Sequence, residues 1–145
     1  MFKSILVPTD GSPLSEKAIQ TAVEYAQLSG AKIIGISVAE PYPFSPLAES
    51  AMAIDPSLYE DSVLALARQY VQKIADAAHA GGVQVETATA MSFSADEEII
   101  KAAAQYGCDV IFMASHGRSG FSRLLLGSKT QKVLAHSTIP VLVLR

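Results

Sequence analysis

The chain has 145 residues, 50% of them apolar and 17% charged, with a formal net charge of 11 − 14 = −3. That excludes a disordered chain and suits one domain, residues 1–145, which at this size withdraws about 70% of its unfolded surface from water. A single cysteine, Cys108, excludes an intrachain disulfide and a Cys-based zinc site.

The apolar runs are of strand length, against the roughly 20 residues a spanning helix needs, so no membrane contact is expected. Pro8 and Asp10 break the first run too early for a secretory leader, and a cytoplasmic location is the expectation. The sign of the net charge argues against bulk nucleic-acid binding. Its distribution is uneven. Residues 33–67 hold five acids and no Lys, Arg or His, whereas residues 110–145 hold five Lys or Arg and no acid. An anionic ligand is therefore sought in the last quarter.

In chain order, Lys3–Val7 reads as a buried strand, leaving through the turn Pro8-Thr9-Asp10-Gly11-Ser12. Ser12 is a natural N-cap and Pro13 a natural first residue for a helix over 13–29. Its face Leu14, Ala18, Ala22, Tyr25, Ala26 is apolar, and Gly30 ends it. Lys32–Val38 is a second strand, followed by a proline-rich loop over 39–56. A long helix over 57–80 carries Leu58, Leu66, Tyr70, Ile74 and Ala77 near helical spacing, closed by Gly81-Gly82. Val83–Thr89 alternates as a strand with one wetter face. Ser94-Ala95-Asp96-Glu97 spells a capping box for a helix running to Tyr106. Asp109–Ser115 is the fourth strand, 116–127 a Gly/Ser/Arg loop, 128–136 a short helix and 140–145 a final strand. Strands alternating with helices predict an α/β fold, a three-layer α/β/α sandwich on a five-stranded parallel sheet. Ligands of such sheets bind beyond the strands' carboxyl ends, where the strand order reverses.

Two such loops compete, 8–12 and 113–128. The second reads Met113-Ala114-Ser115-His116-Gly117-Arg118 and ends in Gly127-Ser128-Lys129-Thr130. Glycines let backbone N–H groups approach a ligand, and a helix N-terminus at Ser128 suits phosphate. Equally, Gly117 and Gly120 shape a turn and Ser128 caps a helix. A P-loop is excluded, because Gly-Lys-[Ser/Thr] is not contiguous and the glycine spacing differs. His79, His116 and His136 lie on different elements, so no metal site is expected. No Gly-x-Ser-x-Gly elbow is present.

Over essentially its whole length the sequence resembles the universal stress protein family, in residues 3–12 and in 113–143. Members that bind nucleotides carry Gly-x2-Gly-x9-Gly-[Ser/Thr]. Here the second glycine is Gly117, the spacer 118–126, and the end Gly127-Ser128, while Ala114 stands at the first glycine. That methyl either crowds a ligand or is harmless at negative φ. The resemblance implies an adenine nucleotide alpha hydrolase-like, Rossmann-like fold. It also implies a regulatory stress-response protein binding ATP or AMP, with or without Mg2+. Asp10, framed by Pro8 and Thr9, would face the ribose or adenine end. Val38 and Met113 would touch adenine, and Gly117, Gly127, Ser128 and Lys129 would line the phosphates. Arg118 joins them on charge alone. For Asp10 the alternative is an Asx turn feeding the Ser12 cap, and for Val38 and Met113 core packing. The apolar strand 140–145 would pair across a two-fold axis to make a homodimer. The alternative function is a dimeric scaffold of the same fold without nucleotide. ATP-using synthetases of similar architecture carry Ser-Gly-Gly-x-Asp-Ser where this chain has Pro8-Thr9-Asp10-Gly11-Ser12, so no enzyme is expected.

Overall fold

The structure is a computed structural model and describes residues 1–44, 55–117 and 125–145. The strands are β1 Ser4–Pro8, β2 Lys32–Ala39, β3 Val85–Met91, β4 Val110–Ala114 and β5 Val141–Leu144. The helices are α1 Pro13–Ser29, α2 Pro56–Ala80, α3 Ala95–Gln105 and α4 Ser128–His136. All pairings are parallel, in the order β3-β2-β1-β4-β5. The chain steps outward from β1 through β2 to β3, then restarts on the other side with β4. The order therefore reverses at β1 and β4, which pair through Ile5↔Val110 and Leu6↔Ile111.

Strand alternation distributes the core to both faces. Ile5, Val7, Ile33, Val110 and Phe112 pack with Ile19, Ala22 and Val23 of α1 and Ile74 and Ala78 of α2. Leu6, Ile34, Ile36, Ile111 and Met113 pack with Ile99 and Ala102 of α3 and Val133 of α4. The three central strands, covered on both sides, read as unbroken apolar runs for this reason.

The ends of α1 follow its sequence. Ser12 accepts from the Ser15 N–H at 3.3 Å, Pro13 opens the helix, and Gly30 closes it at φ 71. Three expectations are corrected. Ser94 makes no capping bond from its side chain, having φ −112 and ψ 75, so the box pattern at 94–97 has no reciprocal bonds. On α2, Leu58 and Leu66 lie off the buried stripe of Ala67, Val71, Ile74 and Ala78, because at 3.6 residues per turn they stand about 160° and about 80° round the helix from Ile74. The third strand begins at Val85 rather than Val83, since Val83 N–H still bonds the helical Ala78 carbonyl at 2.8 Å.

Candidate functional site

The carboxyl ends of β1, β2 and β4 bring three chain segments together. After β1, the loop 8–12 is held by its own polar groups. Thr9 N–H donates to the Ile36 carbonyl on β2 at 2.9 Å, and the Thr9 hydroxyl pairs with that of Ser15 at 3.1 Å. Asp10 Oδ1 accepts the Ser12 N–H at 3.0 Å, which is the Asx turn that the sequence allowed. Gly11 takes φ 76 beneath the ring of Tyr70 from α2, a place with no room for a Cβ.

After β4, the chain turns back on itself. Ser115 N–H donates to the Leu144 carbonyl on β5 and Gly127 N–H to the Ser115 carbonyl, each at 2.7 Å. The Ser115 hydroxyl and His116 Nδ1 lie 3.1 Å apart. Gly127, rather than Ser128, occupies the N-cap of α4, and glycine brings no capping side chain. Gln131 N–H makes the first bond of the helix, to the Gly127 carbonyl at 3.0 Å. The helix geometry thus leaves the N–H groups of Ser128, Lys129 and Thr130 without intrahelical acceptors, at the positive end of the helix dipole. The Thr130 hydroxyl faces down instead and donates to the Ala114 carbonyl at 2.9 Å.

These segments border two adjoining cavities. The larger, about 460 Å³, lies between α2 and the start of α4 and includes Asp10, Val38, Gly117, Gly127, Ser128 and Lys129 in its walls. The smaller, about 100 Å³, lies on the α3 side and is bounded by Pro8, Thr9, Asp10, Val38, Met113 and Ala114. Ten of the expected site residues are thereby brought to one place, and Arg118 lies outside the described residues.

The glycines act differently from expectation. Neither Gly117 nor Gly127 has the positive φ that demands glycine. Each is small because another part of the protein comes close. A Cβ on Gly117 would strike the Asp10 carboxylate, and one on Gly127 would lie 3.1 Å from His116 Cα. Ala114 also sits at negative φ, so its methyl strains no backbone.

One wall was not expected from the sequence. Tyr59, Val63, Leu66 and Tyr70 of α2 border the larger cavity, as do Ser37 and Glu40 of the β2 end. Of these, Leu66 and Tyr70 stand out in the sequence only for their near-helical spacing. His116, treated as a turn residue, is half-buried and borders both cavities. Away from the site, burial pushes the Cys108 thiol up, while a hydrogen bond from the Ser4 hydroxyl at 3.6 Å works the other way. Among the described residues no cluster of His, Cys, Asp or Glu could hold a metal ion, and no helix is long and apolar enough to cross a membrane.

A parallel, Rossmann-like sheet with a cleft at its reversal point defines a three-layer α/β protein. The model of the universal stress protein family matches residues 1–145, and the chain belongs to that family. It is 32% identical to a universal stress protein of Thermus aquaticus, with all of both chains covered. Among solved structures, MJ0577, a universal stress protein of Methanocaldococcus jannaschii, superposes with a TM-score of 0.82 at 28% identity, covering 99% of this chain and 96% of that one. A universal stress protein solved in complex with cAMP shares the fold at TM-score 0.68 and 23% identity, over 99% and 97% of the two chains.

Proposed function

We propose that residues 1–145 form one domain that binds an adenine nucleotide, ATP or AMP, and serves as a stress-response regulator rather than an enzyme. The observation that carries this is the start of α4. Three N–H groups without intrahelical acceptors, beside Lys129, lie at a cleft of about 460 Å³. The phosphates would sit over Ser128 and Lys129, and the adenine against Val38 and Met113 in the smaller cavity, with Asp10 between them. A cAMP complex within the same family supports an adenine nucleotide as the ligand class. For catalysis, the described cleft walls offer carboxylates at Asp10 and Glu40 and an imidazole at His116. The Ser115 hydroxyl, 3.1 Å from His116 Nδ1, is buried.

The scaffold alternative rests on Ala114, whose negative φ leaves the backbone unstrained but which borders the smaller cavity. A cytoplasmic homodimer without nucleic acid as partner completes the proposal. β5 is the sheet's edge, with Leu142 exposed and Val141, Val143 and Leu144 partly so. A second copy would cover residues 140–145, and a monomer by light scattering at micromolar concentration would refute this. The nucleotide is tested by mass spectrometry of ligand carried through purification, followed by calorimetry. No binding of ATP, ADP or AMP at millimolar concentration would overturn it.

A further inference from the structure

Glu40 is the first residue beyond β2, and nothing so far gives it a role. Its Oε1 lies 3.3 Å from Lys129 Nζ, with both side chains 57% exposed. Both residues border the larger cleft. Lys129 is the second residue of α4, beside the N–H groups assigned above to phosphate. The charged side chains among the described cleft residues are Asp10, Glu40 and Lys129, with His116 the one imidazole. The lysine that a phosphate would use is therefore already taken by a carboxylate.

An ion pair this exposed is weak, so a ligand displaces it easily. The displaced carboxylate has nowhere distant to go. On one side the Ala39 carbonyl accepts the Ser92 N–H at 2.9 Å, and on the other Tyr42 N–H donates to Glu60 Oε1 at 3.3 Å. The rings of Tyr42 and Tyr59 meet edge-on at 5.4 Å and reinforce the second tether. The main chain at Glu40 is thus held beside the start of α4, which keeps its carboxylate within reach of the phosphate end.

From this we infer that Glu40 is a specificity-determining residue: it sets how many phosphate charges the cleft accepts, by competing for Lys129 and by repelling the ligand. The inference rests on the nucleotide proposal above and concerns the same site. Repulsion between unit charges several ångströms apart in water-like surroundings changes an affinity about threefold, and it compounds with each charge. Glu40→Gln keeps the shape and removes the charge.

The test is calorimetry of adenosine, AMP and ATP with wild type and Glu40→Gln, in low salt with EDTA so that ATP keeps its full charge. Thermal unfolding confirms that the variant is folded. The expected result is unchanged adenosine affinity, roughly tenfold tighter AMP, whose phosphate carries nearly two charges, and a larger gain still for ATP. The differences should shrink at high salt. An equal gain for all three ligands, or no gain for ATP, overturns the inference while leaving nucleotide binding standing. No binding by either protein at millimolar ligand overturns the nucleotide proposal and this inference with it.

Discussion

Gly127→Ala probes the joint between β4 and α4. Gly127 has φ −61 and ψ 152, which any residue adopts, so backbone strain plays no part. The new methyl would lie 3.1 Å from His116 Cα, 3.3 Å from His116 Cβ and 3.4 Å from the Ser115 carbonyl oxygen. These are atoms of the main chain or next to it. They are pinned by the 2.7 Å bonds from Ser115 N–H to Leu144 and from Gly127 N–H to Ser115. Relief requires one segment to move a few tenths of an ångström against the other. Overpacking of this kind costs about 1–3 kcal/mol. Replacing glycine at a compatible φ returns about 0.4–1 kcal/mol by restricting the unfolded chain. The net is about 1 kcal/mol of destabilisation, or roughly 3 °C in Tm at this size. Thermal unfolding followed by circular dichroism measures it. The deficit should widen under saturating ATP, because the start of α4 is moved from its place over the cleft and the ligand stabilises the variant less. A Tm equal to or above wild type would refute the tight joint, and an unchanged ligand-induced shift would refute its bearing on the site.

Four further outcomes are expected. Ala114→Gly should leave nucleotide affinity within about twofold and cost about 0.5–1 kcal/mol of stability, because the residue already lies at negative φ in a strand; a large gain in affinity would restore the crowding argument. Asp10→Ala removes the acceptor for Ser12 N–H and the carboxylate at the cleft centre; calorimetry should show binding weakened by about tenfold, in keeping with a lost hydrogen bond to a charged group. The Asp55 carboxylate accepts from the Ser57 hydroxyl and N–H, which hold its pKa below the ordinary value of 3.8. Its stabilisation of the α2 start is therefore present above the unfolded pKa and lost as pH falls through the folded one, so the protection of the Ser57 amide relative to its intrinsic exchange rate should fall below the ordinary carboxylate value of 3.8 and lose this dependence in Asp55→Ala. Cys108, buried and with its thiol pushed up by burial, should resist Ellman's reagent at pH 8 until the protein unfolds.

The strands and helices were legible because their signals are local. Branched apolar runs at Lys3–Val7 and Val110–Ala114 can bury only in a sheet covered on both faces, and Ser12-Pro13 and Gly30 punctuate α1 by stereochemistry alone. The upper part of α2 was not legible. Leu58 and Leu66 stand about 160° and about 80° round the helix from Ile74, off the buried stripe, and spacing alone does not say what such residues line. Glu40 was equally hidden. Its partner Lys129 is 89 residues away, and only the β1–β4 reversal brings the β2 end to the start of α4. The capping box failed because Ser94 takes a φ/ψ from which its hydroxyl bonds no backbone N–H, a matter of loop geometry rather than residue type.

The contrast between Ala114 and the two glycines follows from what surrounds each. Ala114 is the last residue of β4, pairs with Leu144 across the sheet, and gives its carbonyl to Thr130. A side chain there enters a cavity, so the fold accepts a methyl. At Gly117 and Gly127 a side chain would enter the protein itself, against the Asp10 carboxylate and the His116 backbone. Those contacts fix where Asp10 stands and how the return of the loop seats α4. A methyl is thus resisted by neighbouring protein atoms at Gly117 and Gly127, and not by the backbone at position 114. An alanine at 127 should therefore press on the His116 main chain and one at 117 on the Asp10 carboxylate, whereas the alanine at 114 strains no backbone.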